Sequence, residues 1–187
     1  MDLNREQKLI HAAQQGDQQA FAELYRAYVD KIYRYIFFRV GNAETADDLT
    51  SEVFLRVVES LPGYQDRNVP FLAWLYRVAH ARVVDHYRRE HPTEQIEEIE
   101  DRELSTEDDL DGELMTTYHQ ETIRTALRTL TDEQQQVIIL RFVENYNLQQ
   151  TAQVLGKTIS AIKVMQHRAI KALNLALHNQ NIASNEI

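Results

Sequence analysis

Between Asn145 and His178 stand four cations, Lys157, Lys163, Arg168 and Lys171, and no acid. Helical spacing puts Lys163, Val164, His167, Arg168 and Lys171 on one outward face, with Thr158 and Ser160 at its start. Such a face suits nucleic acid. Lysine and arginine neutralise phosphate or donate to guanine O6 and N7, and Val164 can meet a thymine methyl. Thr158 and Ser160 fall where a helix N-terminus would approach backbone phosphates. The residues just before this face supply a support for it. Ala152 is small where two helices nearly touch, and Gly156 follows four residues later, where the chain must reverse. Thr158 can cap the next helix, and Ile162, six residues after the glycine, can anchor it. This spacing predicts a helix-turn-helix, whose second helix enters a DNA major groove.

Two further groupings carry chemistry. The stretch Phe71–Arg89 mixes aromatics with Arg77, Arg82, Arg88 and Arg89. A melted strand exposes base faces for stacking and phosphates for arginine. Phe71, Trp74 and Leu75 repeat as a buried stripe does, so they are assigned to the core. The second grouping is acidic: Glu44, Asp48 and Glu52 share a face at i, i+4 spacing. Like charges there repel, and a basic partner surface would relieve them. Catalysis finds no support. The chain has no cysteine, and no histidine has an acid three residues before it, as a carboxylate-bridged metal site needs. No nucleophile–base pair or glycine-rich phosphate loop occurs. His86, His91, His119 and His178 show no ligand spacing and are read as surface. The expectation is no catalytic residue, no metal and no cofactor.

The elements that position these groups are helical. Five Gly and three Pro in 187 residues, with few strand patterns, predict an all-α protein. Apolar spacing predicts a short helix ending near Gly16-Asp17, then a longer one from about Gln18 that Gly41-Asn42 breaks. Ala43–Ser60 is the third, and a fourth runs from Pro70 to about Arg89. Pro92 stops the pattern. Of the 29 acids, 12 lie in Glu90–Glu113, against one base, Arg102, so the rest of the chain is net +2. That block masks a C-terminal unit whose local field suits phosphate. Residues 92–117 read as a flexible acidic linker. A second unit covers 118–178, with Thr131/Gln134 and Asn147/Gln150 as capping boxes. It includes a helix over Asp132–Val143. The first unit covers 1–91, and the polar tail 179–187 is expected to be disordered. The N-terminus has no signal-peptide pattern and no apolar run approaches membrane-spanning length. A cytoplasmic protein without direct membrane insertion is expected.

With these elements in place, the chain resembles the extracytoplasmic-function (ECF) sigma factors, the compact branch of the sigma-70 family. The match lies in AFAELYRAYVDKIYRYIFFRV, AETADDLTSEVFLRVVES, FLAWLYRVAHARVVDHYRR and the C-terminal stretch from LRTLTDEQQQ to HRAIKAL, in family order. The resemblance implies two small helical bundles, sigma-2-like and sigma-4-like, that bind core RNA polymerase and direct it to promoters under stress or envelope signals. Asp47, Asp48, Leu49, Ser51, Glu52 and Phe54 match the polymerase-docking surface, with Ser51 where the family often has Gln. The fourth helix becomes the reader of the −10 element, with Tyr64 and Asn68 in the loop before it set to receive an unstacked base. Arg77, Arg82, Arg88 and Arg89 are its contact candidates. His80 and Ala81 replace a common Arg-Asn pair. Thr158, Ser160, Lys163, Val164, His167, Arg168 and Lys171 become the −35 readers, with Met165 and Gln166 departing from the usual base-then-apolar pair.

The resemblance makes core RNA polymerase and promoter DNA the partners, with an anti-sigma protein as a common addition. An alternative is a helix-turn-helix regulator that acts without polymerase. Such a regulator should carry an α/β receiver or ligand-binding domain at its N-terminus, and this chain is helical there.

Overall fold

The computed structural model describes residues 3–65, 69–90, 123 and 125–185, with backbone only at Leu3 and over 179–185. The acidic linker and Asn68 lie outside the described residues. The elements are α1 (Leu3–Gln14), α2 (Gln18–Val40), α3 (Ala43–Ser60), a 3-10 turn (Leu61–Gly63), α4 (Phe71–Glu90), α5 (Asp132–Ile138), a π-helical turn (Ile139–Val143), α6 (Leu148–Leu155) and α7 (Ile159–Asn185). Residues 125–128 are also helical. No strand occurs among the described residues.

Local chemistry explains most boundaries. Asp17 caps α2 by accepting from the backbone N–H of Gln19 and Ala20, and Asn42 caps α3 by accepting from Thr45. Gly41 ends α2 in the left-handed region at φ 77°. A Cβ there would also collide with Nη2 of the Arg128 guanidinium. Asn147 and Gln150 form the reciprocal box at the start of α6, each bond 2.9 Å long. Gly156 ends α6 at φ 64°, and nothing lies within 4 Å of where a methyl group would stand on it. Gly156→Ala should therefore meet only the backbone penalty and cost about 1 kcal/mol. Urea denaturation measures it, and a loss above about 3 kcal/mol would mean that the methyl collides.

Four helices build the core of the first unit, α1 through Ile10. Leu24, Ile32 and Ile36 of α2, Leu49, Val53 and Val57 of α3, and Phe71, Leu75 and Val83 of α4 are buried together. On α4 the buried face is wider than one stripe, for Leu72, Ala73, Tyr76 and Ala79 are buried as well. The reason lies across the chain. Ile139, Leu140 and Val154 of the second unit belong to the same apolar cluster, so α4 is covered on two sides. Two satellite clusters complete the second unit. One joins Leu127, Leu130, Ile138 and Ala169, and the other joins Val137, Ala152 and Ile162.

One expectation changes. The helix over Asp132–Val143 is α-helical only to Ile138, and its last turn widens to π. That turn sends Ile139 and Leu140 into the first unit while Phe142 stays exposed. The last helix, α7, runs past His178 to Asn185. No glycine or proline follows Gly156, so nothing in the chain stops the helix at His178.

Candidate nucleic-acid interface

The C-terminal face forms as its spacing predicts. Thr158 caps α7, its hydroxyl accepting from the Ala161 N–H at 3.1 Å. Lys163, Val164, His167, Arg168 and Lys171 are all exposed, as are Thr158 and Ser160. The two departures fall elsewhere on the helix. Met165 packs against the Val137–Ala152–Ile162 cluster. Gln166 accepts from Arg141 Nε at 2.8 Å, which pins α7 to the π turn. The exposed basic face therefore keeps its register, and neither departure lies on it.

The basic residues of α4 divide. Arg82, Asp85, Arg88, Arg89 and Glu52 line one open depression. Arg82 pairs with Asp85 at 3.0 Å, and Arg89 reaches Glu52 at 3.5 Å. Arg88 is exposed. Arg77 points another way. Its Nε donates to the Val154 carbonyl at 3.1 Å and its Nη2 to that of Gln153 at 3.0 Å. Those carbonyls end α6, where the helix leaves acceptors unsatisfied and carries its negative pole. Tyr64 is half-buried and packs edge-on against Phe71, with ring centroids 5.3 Å apart, and 4.8 Å from Trp74. Phe71 and Leu75 are buried, as assigned, while Trp74 is only half-buried.

The acidic surface on α3 also needs sorting. Asp47, Asp48 and Ser51 are exposed and Glu52 is half-exposed. Ser51 turns its hydroxyl back to the Asp47 carbonyl at 3.0 Å. Leu49 and Phe54, placed on the docking surface by resemblance, are instead buried at 3% and 6% exposure. Phe54 stacks edge-on with Tyr25, 4.7 Å between centroids, so it shapes the surface from beneath. The sequence carries the signal for this burial, for Leu49, Val53, Phe54 and Val57 fall on one apolar face of the helix. The apolar residues that do reach the surface are Leu55 and Val58, exposed by 63% and 49%. They break the buried period of α3, which is the trace they leave in the sequence.

Between the two units runs a polar seam. Glu144, with a side chain only 1% exposed, accepts from Arg34 Nε at 3.0 Å, Arg34 Nη2 at 3.1 Å and the Tyr76 hydroxyl at 3.1 Å. Burial, then Glu144, pushes the Tyr76 hydroxyl far above its ordinary range. Arg39 is 3% exposed and pairs with Asp132 across the seam. Arg128 Nη2 donates to the Val40 carbonyl at 3.0 Å, ending α2 as Arg77 ends α6. His80 Nε2 lies 3.7 Å from Asp132. Burial lowers the His80 pKa, Asp132 opposing and Arg39 adding to the effect. That shift favours the neutral imidazole beside the Arg39 guanidinium. Among the described residues no group of acids, histidines or cysteines is placed to hold a metal ion. No helix there is long and apolar enough to cross a membrane.

Comparison with known proteins assigns the two units. The profile of sigma-70 region 2 matches residues 24–93, and that of sigma-70 region 4 matches residues 126–174. The ECF RNA polymerase sigma factor BldN of Streptomyces coelicolor is 36% identical over 177 residues, covering 92% of this chain, which spans 66% of BldN's length. The ECF RNA polymerase sigma factor SigD of Mycobacterium tuberculosis is 32% identical over 183 residues, covering 92% of this chain and 84% of SigD. The solved structure of CnrH, in complex with the cytosolic domain of CnrY, shares the fold. Its TM-score is 0.71 at 19% identity, covering 94% of this chain and 98% of CnrH. The helical order, the helix-turn-helix and both regional matches agree: the chain belongs to the sigma-70 family and is an RNA polymerase sigma factor of the ECF type.

Proposed function

We propose that α3 docks core polymerase, α4 reads the −10 element and α7 reads the −35 element. The observation that carries this reading is the exposed face of α7, whose Lys163, Val164, His167, Arg168 and Lys171 all point outward from a supported helix-turn-helix. On α3 the docking residues are Asp47, Asp48 and Glu52, with Leu55 and Val58 as the apolar centre. On α4 they are Arg82, Arg88 and Arg89, with Arg77, Tyr64 and Asn68 completing the strand contact. The chain supplies no bond-making chemistry in this reading; phosphodiester formation belongs to the polymerase. It works in the cytoplasm, where polymerase and promoters are. An anti-sigma protein is a further partner, supported by the solved structure of the sigma factor RpoE in complex with the anti-sigma factor NepR from Bartonella quintana.

Run-off transcription tests the reading. Core polymerase with this chain should give discrete transcripts from genomic promoter fragments, and core alone should not. Transcripts identical with and without the chain would overturn it. Arg168→Ala should weaken binding to −35 duplex by about 1–3 kcal/mol and lower the salt slope by about one if it contacts phosphate. Unchanged affinity at every salt concentration would remove Arg168 from the interface.

A further inference from the structure

Gln14, the last residue of α1, is tied to the chain ahead of α4. Its side-chain Nε2 donates to the Leu61 carbonyl at 3.1 Å and to the Tyr64 carbonyl at 2.8 Å. Those carbonyls bracket the 3-10 turn, and both amide hydrogens are taken up by them. The Tyr64 N–H closes the same turn on the Leu61 carbonyl at 3.0 Å. Leu61 is buried, so the turn is seated in the core on one side and held by α1 on the other. Tyr64 then lays its ring against Trp74 and Phe71, whose own rings meet 5.3 Å apart. A second tie runs from α1 to the same rings. Glu6 is buried and accepts from the Tyr28 hydroxyl, and the Tyr28 ring lies 5.9 Å from that of Phe71.

We propose that α1 positions the aromatic surface on which a −10 base stacks, with Gln14 as the positioning residue. Tyr64 and Trp74 are each half-buried, so both rings keep a part open to solvent, as a surface that receives an unstacked base must. Stacking alone accepts every base, so choosing one base needs those rings held in one place. Tyr64 lies just past the turn and outside any helix. No helical ladder holds its carbonyl; Gln14 does. All of α1 precedes residue 24, where the match to region 2 begins, so the family assignment gives it no part in promoter reading. The inference rests on the assignment of Tyr64 to the strand contact and adds what holds Tyr64 in place.

Base discrimination separates positioning from plain stability. The assay is run-off transcription by core polymerase with the full chain, on one promoter it activates and on copies with each −10 base changed singly. Gln14→Met keeps the side chain's length and removes its donors. It should cut discrimination at one −10 position by at least about fivefold and leave −35 changes as harmful as before. Gln14→Ala, which brings no bulk to the site, is the second variant and should lose the same position. Tyr64→Ala should lose that position too, and adding Gln14→Met to it should bring no further loss. Gln14→Lys retains a donor and should discriminate as the parent does. Gln15→Met, at the exposed neighbour, is the control. A merely structural role would lower transcription from every template alike, and that result would overturn the proposal. Parent-level discrimination in Gln14→Met and Gln14→Ala would overturn it as well. If Tyr64→Ala loses a position that both Gln14 variants keep, the strand assignment stands and the positioning role falls. If Tyr64→Ala loses none, the strand assignment falls and takes the positioning role with it. Trp74 is the chain's one tryptophan and gives a reading without polymerase. Acrylamide should quench its fluorescence more steeply in Gln14→Met than in the parent or in Gln15→Met, and equal quenching would overturn the proposal.

Discussion

Reversing two exposed charges on α3, Asp47→Lys with Asp48→Lys, should abolish run-off transcription and cut affinity for core polymerase by at least about a hundredfold. Like charges set against a partner's charged surface cost several kcal/mol, and here two neighbouring residues on one helix turn both change sign. Both residues are exposed and lie past the first turn of α3, so the fold should lose less than about 1 kcal/mol. Binding of the −35 duplex should survive, because the α7 face lies on the other unit. Co-purification with core polymerase checks the first outcome and duplex binding the second. Transcription at the parent level would mean that polymerase docks elsewhere. Leu55→Ala should give a smaller loss in the same assay, of about 1–2 kcal/mol, as an apolar centre ringed by charge does.

Asp132→Ala should cost about 3 kcal/mol of stability. Its partner Arg39 is 3% exposed, and removing one member of such a pair leaves a buried charge with too little compensation. What remains near Arg39 is the Tyr35 hydroxyl at 3.5 Å and the Tyr35 ring, with no acceptor for its buried Nε. Asp132 also accepts from Gln136 Nε2 at 2.7 Å and sits in the first turn of α5, where an acid suits the helix dipole. Asp132→Asn keeps an acceptor and should lose less. Urea midpoints of the three proteins decide the matter. A loss below about 1 kcal/mol for Asp132→Ala would mean that water reaches Arg39 once the carboxylate is gone.

The two substitutions differ in how far the sequence exposes them. Asp47 and Asp48 can be picked from the chain, because a run of acids on an amphipathic helix with an apolar opposite face must lie outside. Asp132 reads from the chain only as the first residue of a helix. Its tie to Arg39, 93 residues away, is invisible there. Leu49 and Phe54 are legible in the chain as part of the apolar face of α3, and they are buried there, while the match to the docking surface came from the resemblance alone.

By itself the sequence determined the helices and their ends, because caps, glycines and apolar spacing act over a few residues. It determined the exposed basic face of α7, since Gly156, Ile162 and the cations fix that helix's turn and rotation together. It determined the family, because four motifs stand in order along one chain. Only the tertiary structure decided which face of α4 is free. Arg77 has the same type and the same helix as Arg88 and both are exposed, yet only Arg77 donates to the end of α6. It also decided that the two units share an apolar cluster and an ion pair between residues 34 and 144. Local periodicity records which side of a helix is apolar. It carries no record of which distant helix covers that side, because that choice is made by burial and charge pairing after the helices exist.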